Sequence, residues 1–152
     1  MAELIAPISE DLRKEDTRMD IVKGIEHVNY KDEACPSSLS LEAGDWVEKT
    51  ATGVAAPANA AGKPNVYPVL VGNDQLDSQA TGKVTLAIGG GFVYRTTKYV
   101  AGSYTVGQNL TVRSLGGGEK VPSAAGGSDA IVARVYNAPD AKGVMEILVL
   151  NR

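Results

Sequence analysis

The sequence predicts a mainly β protein: a small antiparallel β-barrel or sandwich preceded by a charged N-terminal arm. Three observations lead there. Glycine is abundant, 17 of 152 residues, as a chain with many turns requires. Hydrophobic residues make up 43% but aromatics only 5%, so the core must rest on Val, Leu, Ile and Ala, the first and third of them β-branched. From Trp46 onward, short apolar or alternating runs are separated by Gly-, Pro- and Asn-rich punctuation. No βαβ alternation occurs, which argues against a parallel nucleotide-binding sheet.

Composition divides the chain. Residues 1–49 carry 12 acids, 6 bases and 2 glycines, whereas residues 50–152 carry 6 acids, 9 bases and 15 glycines. A charged, Gly-poor stretch thus precedes a turn-rich body. We place the arm and connector at 1–40 and the body at 41–152. The charge asymmetry suits an arm lying on something basic, such as the body of a neighbouring copy. A solvated terminus is the plain alternative.

Within the arm, "ISEDLRKEDTRM" could form a short helix capped by Ser9, with Glu10 and Asp11 in its first turn. Its apolar residues are sparse, so it would depend on a partner surface. "MDIVKGIEHVNY" reads as strand, because Gly24 interrupts it and Ile21, Val22, Ile25 and Val28 are β-branched. "ACPSSLS" is a loop.

In the body, Gly44-Asp45 turns into the strand "WVEKT", which starts with the only tryptophan, Trp46. The ring is expected to cap one end of a barrel core against "VYPVLV" and "IVARVY", with an interface anchor as the alternative. "ATGVAAPANAAGKPN" reads as a loop of small residues. "VYPVLV" is a strand whose Pro68 suggests an edge or a bulge. "GKVTLAIGGGFVYRTT" reads as a hairpin across Gly89-Gly90-Gly91. "NLTVRSL" alternates as a half-buried strand does, and its turn "YTVGQ" parallels "LEAGD". "GGGEKVPSAAGG" is a loop. "DAIVARVYN" and "GVMEILVL" are the last two strands, joined by "APDAK".

Chemistry is sparse. His27 and Cys35 are the only residues of their kinds, too few for a usual zinc, iron or copper site, and a Cys-His nucleophile would require that one pair to meet. The Gly-rich stretches match neither phosphate-loop pattern, and no GxSxG elbow occurs. Acidic pairs such as Glu10-Asp11 and Asp32-Glu33 are adjacent, so on a strand they point to opposite faces. "NDQLD" lacks the glycine and final glutamate of a calcium loop. No catalytic, metal or cofactor residue is assigned. "FVYRTTKYVAGSY" interleaves Phe92, Tyr94, Tyr99 and Tyr104 with Arg95 and Lys98, the combination a single-strand-binding barrel uses for stacking and phosphate contacts. Yet Phe92 and Tyr94 share a strand face as core residues do, and a net charge of −3 argues against a nucleic-acid partner. No apolar run has the length of a membrane span, and the N-terminus lacks a signal-peptide pattern.

The order "SLEAGDWVEK", "YPVLVGND", "TGKVTLAIGGGFVYRTTKY", "YTVGQNLTVR" and "IVARVYNAPDAKGVMEILVL" resembles the small head decoration, or cement, proteins of tailed bacteriophages, over roughly residues 39–152. That family has no catalytic motif, so no functional residue carries over. The resemblance implies a non-enzymatic β-barrel on the outer surface of an icosahedral head. It would be made in the host cytoplasm, usually act as a homotrimer, and clamp adjacent major capsid proteins, often through an N-terminal arm. The arm's apolar residues Leu4, Ile5, Ile8 and Leu12 are then the expected capsid or subunit contacts. Trp46, Tyr67 and Phe92 are the expected core. Another virion or tail β-barrel component is the alternative.

Overall fold

The structure, a computed structural model, describes residues 18–57, 65–73, 82–112 and 120–150. Eleven strands lie among them: β1 (Asp20–Lys23), β2 (Asn29–Ala34), β3 (Trp46–Thr50), β4 (Gly53–Ala55), β5 (Val66–Val71), β6 (Lys83–Ile88), β7 (Phe92–Thr96), β8 (Asn109–Val112), β9 (Pro122–Ala124), β10 (Ala133–Asn137) and β11 (Met145–Val149). One 3-10 turn, Ile25–His27, joins β1 to β2.

The strands form two antiparallel sheets. The six-stranded sheet runs β1-β7-β11-β10-β8-β9 and the five-stranded sheet β2-β6-β5-β3-β4. The architecture is therefore sandwich-like rather than a closed barrel. The five-stranded sheet does curl: an ion pair links Glu33 on β2 to Lys49 on β3 at 3.3 Å, and Gly53 on β4 lies against the Ala34 carbonyl.

Period-2 alternation explains how the curled sheet buries both faces. Trp46, Val66 and Ala87 point to the six-stranded sheet and join Phe92, Tyr94, Leu110 and Ile147 in the larger core. Their neighbours Val47, Val69, Val84 and Leu86 point the other way and form a second core with Leu41, Val54 and Cys35. A strand that must serve two cores is apolar along its length, which is why "VYPVLV" and "KVTLAI" show little polar alternation.

Four expectations change. The sheets begin before the 40/41 boundary, because β1 pairs with β7 and β2 pairs with β6. Pro68 lies in a central strand, not at an edge. Its strand does carry an irregularity, a register shift between Val69 and Val71 opposite Leu86 and Thr85, next to the missing N–H. Two stretches read as loops each contribute a short edge strand, β4 and β9. Finally, the hairpin across Gly89-Gly90-Gly91 does not form. β6 joins the five-stranded sheet and β7 the six-stranded one, so the glycines carry the chain from one sheet to the other. All three have positive φ (133°, 66° and 76°), which only glycine adopts without strain.

The last two strands do pair as a hairpin, Ala133 with Val149 through Val135 with Ile147. Asp140 shapes its turn. Its Oδ1 accepts the backbone N–H groups of Lys142 (2.8 Å) and Val144 (3.0 Å), which holds its carboxyl below the usual carboxylate range.

Candidate functional site

Trp46 is fully buried. It is opposite Pro68 in the ladder to β5 and belongs to the same buried cluster as Val66, Val132, Ala133 and Val135, between the sheets rather than across a barrel mouth. Its backbone N–H donates to the Lys120 carbonyl (2.7 Å), and its indole Nε1–H donates to the Tyr94 hydroxyl (2.9 Å). Burial pushes the Tyr94 phenol far above its ordinary pKa. Phe92 is fully buried, with its ring centroid 6.4 Å from that of Tyr94. Tyr67, named as core, is only half-buried and packs against the second cluster.

The other aromatic and basic residues of "FVYRTTKYVAGSY" are engaged by partners within the chain, although Arg95 stays exposed. The Tyr99 and Tyr104 rings meet edge-to-face at 5.4 Å. The Tyr99 hydroxyl donates to the Gly143 carbonyl (2.7 Å), and the Tyr104 hydroxyl donates to the Val100 carbonyl. Arg95 pairs with Asp20 at 2.6 Å, and Lys98 with Asp45 and Glu42. A surface that stacks bases needs exposed rings beside free cations. Here two rings lie in the core and both cations are paired.

His27 and Cys35 stand at opposite ends of β2. Six residues of strand at about 3.3 Å each separate them by roughly 20 Å, too far for proton transfer between them. His27 is exposed next to Glu26. Cys35 is buried, which raises its thiol pKa, and the Asn73 Nδ2 donates to its sulfur at 3.4 Å. Asn73 also joins its Nδ2 to the Leu39 carbonyl (2.6 Å) and accepts the Leu41 N–H (2.8 Å), so it braces the loop before β3. Among the described residues, no group of three or more His, Cys, Asp or Glu side chains is placed to hold a metal ion. None of their helices is long and apolar enough to cross a membrane.

The most organised polar cluster is the corner where the chain enters β1. Lys98 Nζ lies 2.7 Å from Asp45 Oδ1 and 3.0 Å from Glu42 Oε2, and Arg18 Nη1 lies 3.5 Å from the same Glu42 oxygen. The hydrogen bond and charge of Lys98 hold the Glu42 carboxyl below its usual range. Asp45 Oδ2 accepts the Glu42 N–H (2.8 Å), closing the "LEAGD" turn. The Thr96 hydroxyl donates to the Arg18 carbonyl (2.6 Å) and accepts the Lys98 N–H (2.9 Å). Gly44, at φ 92°, lies so close to the Arg18 carbonyl that no Cβ would fit. The turn that places Trp46 and the entry of the N-terminal segment are therefore one structure.

The turn is legible in the sequence, but its partners are not. Glu42 and Lys98 are 56 positions apart, and no local pattern marks such a pair. Leu4, Ile5, Ile8 and Leu12, and most of the suggested helix, lie outside the described residues. No known family matches the chain, and no curated protein matches it.

Proposed function

We propose that the chain is a non-enzymatic structural protein of a bacteriophage head, seated on the outer surface of the capsid and stabilising contacts between major capsid proteins, as a homotrimer. The observation that carries this reading is where the acidic first third meets the body. Residues 20–34 form an edge strand of each sheet, β1 in one and β2 in the other, and the chain before them enters at the clamped corner of Arg18, Glu42, Asp45 and Lys98. A segment attached at the edge of a two-sheet body can reach a neighbour without disturbing either core. The pattern resemblance of residues 39–152 to head decoration proteins supports the same reading.

Such a protein needs shape and repeated contact rather than chemistry. Interfaces that exist only in the assembled lattice stabilise that lattice by mass action, and three linked subunits turn a modest contact into firm attachment. The test uses heads of the phage that encodes the chain, prepared without it. Added protein should co-sediment with them at a fixed ratio to the major capsid protein and raise their disruption temperature. Absence of binding to mature heads overturns the proposal. Binding confined to tails would assign the chain to a different virion component.

A further inference from the structure

We infer that β1 is a releasable strap: a strand that can leave β7 while both sheets stay folded. The first argument is burial. Of Asp20–Lys23, only Ile21 is partly covered, and with Met19 it packs on the larger core from its margin. Its partner β7 has four of five residues buried, Phe92, Val93, Tyr94 and Thr96. Releasing β1 therefore uncovers little apolar surface from its own side, and regions with few buried contacts open first.

The second argument is what holds β1 instead. Besides its backbone ladder to β7, the restraints are polar, and most stand on side chains outside β1. At the start, Thr96 holds the Arg18 carbonyl, and Lys98 gathers Glu42, Asp45 and, through Glu42, Arg18. Along the strand, Arg95 pairs with Asp20 at 2.6 Å. At the end, Lys23 Nζ donates to the Tyr136 hydroxyl (2.8 Å) and lies 4.9 Å from the ring centre. Partly exposed ion pairs of this kind contribute little individually and are screened by salt, so they act as reversible catches.

The third argument is the hinge. Gly24 follows β1 in the left-handed region, φ 72° and ψ 26°, so close to the Gly91 carbonyl that a Cβ would not fit. Beyond it the chain crosses to the other sheet, where β2 is secured to β6 over six residue pairs, Asn29–Ile88 to Ala34–Lys83. Opening can thus stop at Gly24. It frees the edge of β7 and lengthens the N-terminal segment by the strand itself. This holds for the isolated protein whether or not it binds a capsid.

Trypsin reads the opening directly, because Arg18 and Lys23 flank the strap while Arg134 lies on the central strand β10. Under native conditions, cleavage after Arg18 and Lys23 should precede cleavage after Arg134. Lys98→Met keeps the side-chain length but removes the catch, and should speed the first two cleavages about 3- to 10-fold, with the cleavage after Arg134 unchanged. Asp20→Asn, which sits on the strap itself, should act in the same direction. High salt should mimic both in the wild-type protein. Equal acceleration at Arg134 would mean that β1 opens only with the whole fold, and would overturn the inference. Unchanged cleavage after Arg18 and Lys23 in both variants would overturn it too.

Discussion

The indole N–H of Trp46 donates to the hydroxyl of Tyr94 across the gap between the two sheets, 48 positions apart in the chain. Both residues are completely buried. Each ring supplies apolar area to the larger core, and each polar tip satisfies the other. The bond also fixes the relative position of the sheets, because Trp46 belongs to β3 of one and Tyr94 to β7 of the other.

Removing both partners should therefore cost less than the sum of removing each alone. Tyr94→Phe leaves the indole N–H buried without an acceptor and should destabilise by about 1–3 kcal/mol. Trp46→Ala, which also opens a cavity, should cost about 3–5 kcal/mol. Trp46→Phe combined with Tyr94→Phe should cost less than Trp46→Phe and Tyr94→Phe measured singly and added together. Urea unfolding followed by the emission of the only tryptophan measures the first, and circular dichroism the others. Strict additivity would show that the bond contributes nothing beyond packing.

The three glycines between β6 and β7 should respond unequally. A Cβ on Gly89, at φ 133°, would overlap the His27 carbonyl, whereas one on Gly91, at φ 76°, meets nothing within 4 Å. Gly91→Ala should cost only the left-handed backbone strain, about 1–2 kcal/mol. Gly89→Ala adds a backbone clash and should cost more than about 3 kcal/mol. Comparing the thermal midpoints of the two variants checks the order.

Stability should fall at both ends of the pH scale for different reasons. Tyr94 is raised above its unfolded value of 10.0, so its contribution is whole below about pH 10 and is lost as the solution becomes more alkaline. Asp140 and Glu42 are lowered below 3.8 and 4.5 respectively, so their contributions are present above those values and are lost as pH falls through their folded pKa values. The alkaline loss should be the steeper, since Tyr94 is buried and both carboxylates are largely exposed. In Tyr94→Phe the alkaline limb should flatten. Melting temperatures from pH 2 to 12 in both proteins test this.

Thr111 and Ser123 face each other across β8 and β9, and neither hydroxyl has a hydrogen-bond partner among the described residues although both are buried. A buried, unpaired polar group is a liability that an apolar group of the same shape removes. Thr111→Val is expected to be neutral or to stabilise by up to about 1 kcal/mol, unlike most core substitutions. A loss of more than that in urea unfolding would mean that a water or another group satisfies the hydroxyl.

Local physics made much of the fold legible. The turn before "WVEKT" and the closing hairpin around "APDAK" can be read without knowing any distant contact, because side-chain period and turn chemistry act within a few residues. For the same reason, a solitary tryptophan after a Gly-Asp turn could be assigned to a core. "NLTVRSL" does contain a strand, but its Leu110, Thr111 and Val112 are all buried instead of alternating. Partner choice was not legible. Gly89-Gly90-Gly91 allows a reversal of direction but does not say whether the next strand pairs with the last or crosses to another sheet. Packing Phe92 and Tyr94 against Trp46 decided that. Pro68 tolerates a central strand only because a register shift lies beside it, and β1 and β2 belong to the body only because β7 and β6 present edges to them. The corner of Arg18, Glu42, Asp45 and Lys98 is assembled from three separated stretches of chain. Sequence determined which residues could be strands, turns and core, since those preferences are local. The tertiary structure decided which strands meet and where charges pair, since those depend on contacts between residues that only folding brings together.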